Sequence, residues 1–119
     1  MCLCDYRCDM PNVLTRLARK IESRVGADEK KSYAAKLFKR GPHKCAEKFG
    51  EEAVEAIIAA AKNDKKNLTE EAADVLFHLL VMLNARDVKY EDVLAELERR
   101  EGKSGITEKK ERKTKKAKE

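Results

Sequence analysis

The chain has 119 residues and a mass of 13.5 kDa, enough for one domain with a modest core. Charged residues make up 41% of it and aromatic residues 5%, with no Trp, a composition typical of a helical protein and unlike a β-sandwich or barrel. The net charge of +5 would suit a nucleic-acid-binding protein, so the location of that charge matters.

The excess positive charge lies at the C-terminal end of the chain. Residues 102–119 contain eight Lys+Arg and three Asp+Glu, which accounts for the whole net charge of +5. Because this segment has almost no apolar residues, it predicts a disordered basic tail. A solvated terminus and a weak attraction to RNA or other polyanions both fit the tail. The rest of the chain is neutral overall, so we expect no specific nucleic-acid partner.

The N-terminal residues 1–10 hold three of the four cysteines, Cys2, Cys4 and Cys8. A zinc site normally draws pairs of ligands from two separated segments, so this spacing predicts a flexible leader with reduced thiols. The leader lacks the apolar core of a signal peptide, and no apolar stretch is long enough to span a bilayer. We therefore expect a cytoplasmic protein without membrane contact, with Cys45 as a small apolar or partly exposed helical residue.

Between residues 11 and 101 the spacing of apolar residues predicts one all-α domain. A first helix follows Pro11 and ends before Gly26, where the repeat of three and four residues stops. Ser32 can cap a short second helix that ends at Gly41. Pro42 prevents its continuation, and a third helix runs from residue 43 to about residue 62.

The fourth predicted helix differs from the others in its apolar content. Asn67, with Glu70 three residues later, resembles a capping box that opens a helix over residues 68–85. Ten of the twelve residues in 72–83 are apolar, so nearly the whole circumference needs burial against the chain or a second subunit. A fifth helix is predicted over residues 90–100. The sequence thus predicts an all-α helical bundle that is completed by oligomerisation.

Five carboxylates stand at helical spacing on the third and fourth helices. Glu52 and Glu55 are three residues apart, Glu51 lies one step round, and Glu71 and Asp74 repeat the spacing. Asp74 interrupts the most apolar segment, where we expect it to be buried. If the two helices pack antiparallel, the carboxylates converge, and a hard divalent cation such as Mg²⁺ or Mn²⁺ removes their repulsion. A solvated helix face for the glutamates, and an ion pair for Asp74, are the structural alternatives.

Two lysines and one histidine accompany these carboxylates. Lys44 and Lys48 precede the glutamates by two turns and one turn, and Lys48 shares a face with Glu52. Cations beside a metal site would neutralise the phosphoryl oxygens of a polyphosphate, although ordinary surface Lys–Glu pairs give the same spacing. His78, one turn after Asp74, could orient that carboxylate or titrate near neutral pH; a packed core histidine is the alternative.

The motif Glu51-Glu52-x-x-Glu55 followed by Glu71-x-x-Asp74 resembles the signature of the all-helical nucleoside-triphosphate pyrophosphatases, the superfamily of MazG and the dimeric dUTPases. Its surroundings, from about residue 14 to residue 100, are similar to the phosphoribosyl-ATP pyrophosphatase family of histidine biosynthesis. The similar segments include the run that begins Ser32-Tyr33 and the lysines and His78 named above. Two positions depart from the family pattern: Ala34 stands where Thr is expected, and Phe77 where Tyr is common.

This resemblance implies Mg²⁺-dependent hydrolysis of phosphoribosyl-ATP to phosphoribosyl-AMP and pyrophosphate by a homodimer or higher homo-oligomer. It implies three sets of residues: metal ligands Glu52, Glu55, Glu71 and Asp74; catalytic residues Glu51, Glu52 and Glu55, with Glu51 a ligand or an orienter of water; and substrate-binding residues Lys44, Lys48, Ser32, Tyr33 and His78. The chain has no room for the cyclohydrolase fused to some family members, so a stand-alone enzyme is expected.

Two other functions fit parts of the sequence. A pyrophosphatase that acts on another (d)NTP would share the acidic motif, and only Ser32, Tyr33 and His78 separate it from the first interpretation. A helical interaction or nucleic-acid-binding module would carry its carboxylates as surface residues. The predicted burial of Asp74 disfavours this module, because an adaptor gains nothing from an acid in its most apolar helix.

Overall fold

The computed structural model describes residues 12–118, and within them the chain is helical without strands. The six helices are α1 (Val13–Glu22), α2 (Tyr33–Arg40), α3 (Pro42–Ala61), α4 (Lys65–Ala85), α5 (Tyr90–Arg99) and α6 (Gly105–Lys118). The predicted all-α class is confirmed. Cys2, Cys4 and Cys8 lie outside the described residues, and the division of the chain at residues 10 and 101 stays a prediction. In the described range, no helix combines the length and apolarity needed to cross a membrane.

Local capping and backbone geometry define α2 and the start of α3. The Ser32 Oγ accepts a hydrogen bond from the backbone N–H of Ala35 at 3.2 Å, as expected of an N-cap residue. Gly41 follows α2 with a φ of 98°, a value that favours glycine, and Pro42 is the first residue of α3. The same Gly-Pro pair therefore ends one helix and begins the next.

α3 and α4 form a helical hairpin that is joined by residues 62–64. Asn63 has a φ of 57°, and Asp64 then caps α4 by accepting a hydrogen bond from the backbone N–H of Asn67 at 3.1 Å. The prediction of Asn67 as the cap is wrong, and α4 begins three residues earlier, at Lys65. Because the connection is so short, the two helices run antiparallel and pack along each other.

The core of residues 12–88 lies where α1 and α2 pack on the hairpin. Ile21, Leu37, Cys45, Leu80 and Val81 are buried there, together with several alanines. The Cys45 thiol donates a hydrogen bond to the carbonyl oxygen of Leu37 at 3.4 Å, and burial raises the pKa of this thiol. The C-terminal half of α4 thus supplies the core, as its apolar content predicts.

The hairpin also carries an uncovered apolar face. Val54, Ile57 and Ile58 on α3 and Leu76 on α4 are 43–66% exposed. Ala72 and Ala73 on α4 are exposed as well. The apolar circumference of the N-terminal half of α4 is therefore not buried by the described residues.

Residues 89–118 form a second compact unit. Glu96 on α5 accepts hydrogen bonds from Arg99 at 2.8 Å and from Arg100 at 2.9 Å. The Arg99 guanidinium also donates to Glu108 on α6 at 2.8 Å. These partners lower the pKa of Glu96 to about 2, with the hydrogen bond from Arg99 as the largest cause.

The structure has a helix in the segment for which the sequence predicts a disordered tail. The Ser104 Oγ accepts a hydrogen bond from the backbone N–H of Thr107 at 3.1 Å in the first turn of α6. Lys103 and Glu111 form an ion pair at 2.9 Å, beside the Arg99–Glu108 pair. Ion pairs and the high helix propensity of Lys and Glu stabilise this helix, which has few apolar residues to pack.

Candidate active site

Three carboxylates meet on the α3–α4 hairpin. Glu52 and Glu55, one turn apart on α3, face Glu71 on α4, and one carboxylate oxygen from each lies within 4.8 Å of the others. We call these three residues the carboxylate cluster. The three-residue spacing on α3 and the antiparallel packing of α4 bring them together. The structure thus assembles three of the four predicted metal ligands, and their role as ligands stays a prediction.

Asp74 differs from its prediction, because its side chain is exposed and lies outside the carboxylate cluster. It belongs to the N-terminal half of α4, whose outer face no described helix covers. The carboxylate is still close enough to contribute, as a minor cause, to the raised pKa values of Glu52 and Glu71. The burial of Asp74 therefore no longer favours an enzyme over an interaction module. The carboxylate cluster is now the feature that favours an enzyme.

Glu71 has the most perturbed acidity of the cluster. The pKa of Glu71 is raised to about 7. Burial is the largest cause, and the next causes are hydrogen bonding with Glu55 and repulsion from its charge. The Glu71 Oε2 atom is inaccessible and has no hydrogen-bond partner among the described residues. Burial also raises the pKa of Glu52, with Glu55 as the next cause. Carboxylate oxygens that repel one another, one of them unpartnered, are a donor set that suits a hard divalent cation.

The predicted phosphate-binding lysines lie on α3 before the cluster. The Lys48 ammonium pairs with Glu51 at 3.1 Å, and this hydrogen bond raises the pKa of Lys48. Lys44 pairs with Glu47 at 3.3 Å. Glu51 is therefore exposed and turned to Lys48. Each pair joins a half-buried lysine to an exposed glutamate three residues away, so it contributes only about 0.3–0.5 kcal/mol and competes weakly with an incoming phosphate.

His78 lies in an aromatic group next to the lysines. It is 5% exposed, and its ring contacts Phe77 edge-on at 5.2 Å and Tyr33 edge-on at 6.0 Å between centroids. Burial lowers the pKa of His78, so the imidazole is neutral at pH 7. Its Nδ1 has no hydrogen-bond partner within the part of the chain that the structure describes. These features match a packed core histidine, the alternative given by the sequence.

Ser32 and Tyr33, the other predicted substrate-binding residues, line a cleft of about 260 Å³. The cleft also contains Lys20, Arg24 and Lys31, which sequence reasoning did not single out. They come from α1, from the turn after it and from the loop before α2, so no local spacing relates all three of them. The two positions that depart from the family pattern, Ala34 and Phe77, line the same cleft.

The described residues form helices without strands, with a central hairpin that gathers carboxylates, and this is the fold of the helical nucleotide pyrophosphohydrolases. A family model described as "Phosphoribosyl-ATP pyrophosphohydrolase" matches residues 14–101, a range that contains every predicted site residue. The chain belongs to that family.

Curated relatives of high identity carry the corresponding name. A phosphoribosyl-ATP pyrophosphatase of Rhodobacter capsulatus is 69% identical over 96 residues, which cover 81% of this chain and 93% of the relative. One from Cereibacter sphaeroides is 66% identical over 98 residues, 82% of this chain and 95% of the relative. One from Paracoccus denitrificans is 63% identical over 103 residues, which cover 87% of this chain and 95% of the relative. The similarity therefore extends over nearly the full length of the relatives.

Proposed function

We propose that this chain hydrolyses phosphoribosyl-ATP between its α and β phosphates, releasing phosphoribosyl-AMP and pyrophosphate in histidine biosynthesis in the cytoplasm. Family membership and the names of the relatives support this substrate. The observation that carries the proposed chemistry is the carboxylate cluster, in which oxygens of Glu52, Glu55 and Glu71 lie within 4.8 Å of one another.

The carboxylate cluster would hold a divalent cation, Mg²⁺ or alternatively Mn²⁺. Glu52, Glu55 and Glu71 supply oxygen ligands, and Asp74, one turn after Glu71, is the fourth candidate ligand. When bound, the cation supplies charge neutralisation for the phosphoryl oxygens and a lower pKa for a water molecule. The donor set favours these hard cations over Zn²⁺, because it contains neither thiolate nor imidazole.

The remaining site residues bind and orient the polyphosphate and the water. Lys44 and Lys48 can exchange their exposed glutamate partners for phosphate oxygens at little cost. Glu51, once released from Lys48, is one step round the helix from the carboxylate cluster and can orient the attacking water by accepting its hydrogen bond. The exposed ring of Tyr33, which contacts the buried neutral His78 edge-on, offers an apolar face on which the nucleoside packs.

A second copy of the chain would cover the apolar face of the hairpin. Val54, Ile57, Ile58 and Leu76 would otherwise expose a contiguous apolar surface on a chain in which 41% of the residues are charged. Covering this face also excludes water from the side of the hairpin that bears Asp74. We therefore propose a homodimer whose interface includes the N-terminal half of α4.

The proposed activity is tested by release of pyrophosphate from phosphoribosyl-ATP with Mg²⁺. Glu52→Gln and Glu55→Gln should each lower the rate by at least about 100-fold with unchanged helical content, because each removes a charged oxygen ligand. Glu70→Gln, an exposed neighbour outside the carboxylate cluster, is the matched control and should keep its activity. A preference for dUTP or another triphosphate would show that phosphoribosyl-ATP is not the substrate. Inactivity toward every nucleotide would favour an interaction module.

A further inference from the structure

The cleft beside Tyr33 is a cationic site that is separate from the carboxylate cluster. Lys20 reaches it from α1, Arg24 from the turn after α1 and Lys31 from the loop before α2, while Leu17 and Ile21 form an apolar floor. None of the described residues that line it is acidic. Its volume of about 260 Å³ lies below the ~300–1,000 Å³ of pockets that enclose a whole ligand. The cleft is therefore suited to one end of a substrate.

Among residues 12–116, the three cations of the cleft lack a carboxylate partner of the kind that Lys39 and Lys48 have. Lys20, Arg24 and Lys31 form no ion pair with any of residues 12–116. Elsewhere on α2 and α3, by contrast, Lys39 pairs with Glu29 and Lys48 with Glu51. Cations grouped without a counter-charge repel one another, and a bound dianion offsets that repulsion. The guanidinium of Arg24 can donate two parallel hydrogen bonds, and the ammonium groups of Lys20 and Lys31 add compact positive charges. Together these donors match the oxygens of a phosphate monoester.

α4 carries residues of both the cleft and the carboxylate cluster. Phe77, which stacks on Tyr33 with centroids 6.0 Å apart, is six residues after Glu71 on α4, about 9 Å along the helix axis. Tyr33 is also near enough to Lys48 to contribute to its raised pKa. The stacked rings of Tyr33 and Phe77 therefore border the cleft, and Tyr33 is the one of the two that is also near Lys48. Tyr33 is 52% exposed and offers one ring face to a base or ribose.

We propose that this cleft binds the 5-phosphate of the phosphoribosyl group, with Lys20, Arg24 and Lys31 contacting its oxygens. The inference rests on the proposed function, because phosphoribosyl-ATP carries a phosphate monoester at the end opposite its triphosphate. With the triphosphate at the carboxylate cluster, the monoester needs a second cationic site. An ordinary nucleoside triphosphate leaves that site without its anion, so the cleft determines specificity.

The test compares two substrates on single variants. Lys20→Ala, Arg24→Ala and Lys31→Ala should each raise KM for phosphoribosyl-ATP about tenfold, with kcat within about twofold, because each removes a contact made equally in the ground and transition states. Arg19→Ala and Lys30→Ala are the matched controls, since these exposed neighbours do not line the cleft, and their KM should not change. Circular dichroism checks that every variant keeps its helices.

The second substrate is N1-ribosyl-ATP, which lacks only the 5-phosphate. The unsubstituted protein should hydrolyse it with a raised KM, and the three cleft variants should raise that KM no further, because the charge they recognise is gone. If the variants raise KM equally for both substrates, or for neither, the cleft assignment is overturned while the proposed function stands. If the unsubstituted protein does not hydrolyse phosphoribosyl-ATP at all, the proposed function fails and the assignment fails with it.

Discussion

The binding of a divalent cation should release a proton from Glu71. With a pKa raised to about 7, this carboxyl holds about half a proton at pH 7, about nine tenths at pH 6 and about one tenth at pH 8. A cation can coordinate only the ionised form, so binding displaces that proton. We therefore expect release of about half a proton per site at pH 7, and an apparent Mg²⁺ affinity about tenfold lower at pH 6 than at pH 8.

Isothermal titration calorimetry of Mg²⁺ in two buffers of different protonation enthalpy measures this proton directly. Glu71→Gln should abolish the release and weaken cation binding, since it removes both the titrating group and one ligand. Glu70→Gln on the same helix is the control and should keep the full pH dependence. Binding enthalpies that do not depend on the buffer between pH 6 and pH 8 would refute the reasoning, as would proton release that survives Glu71→Gln.

Three further predictions concern the interface, the second unit and a helix cap. Ile57→Glu, at an apolar position 66% exposed on α3, should convert the homodimer to a monomer in sedimentation velocity; a dimer that persists would contradict the proposed interface. Arg99 and Arg100 hold the pKa of Glu96 near 2, below its usual 4.5. Its contribution to stability is therefore complete above pH 4.5 and is lost as the pH falls toward 2, so protection of the α5 amides from hydrogen exchange should fall over that interval; constant protection would show that these pairs contribute nothing. Ser32→Ala should lower the free energy of unfolding by about 1 kcal/mol in urea, whereas Ser32→Asn, which keeps a capping oxygen, should not; equal losses would contradict the capping role.

The parts of the fold that depend on short-range chemistry could be predicted from the sequence. Ser32 and Gly41 bound α2 as expected, because a cap and a positive φ each involve only neighbouring residues. The start of α4 was predicted incorrectly because Asp64 and Asn67 are both capping residues. The structure selects Asp64, which follows the left-handed Asn63 directly. A local pattern offers both caps and does not rank them.

The parts of the candidate site that depend on tertiary packing could be predicted only partly. Helical spacing placed Glu52 and Glu55 on one face, and antiparallel packing brought Glu71 to them. The apolar window around Asp74 did not reveal that its outer face lacks a cover within the chain, so Asp74 is exposed in the single chain instead of buried there. The cations of the cleft come from separate elements, and each alone, like Lys20, is an ordinary surface residue in the sequence.

The turn at residues 62–64 sets the rotational phase of the two helices that carry the carboxylate cluster. Each residue of an α-helix advances its side chain by about 100° and 1.5 Å. One residue added to or removed from this turn would therefore rotate Glu71 away from Glu52 and Glu55 while both helices stayed intact. Surface turns usually tolerate changes of length, but here the length of the turn is as much a condition of the chemistry as the carboxylates themselves.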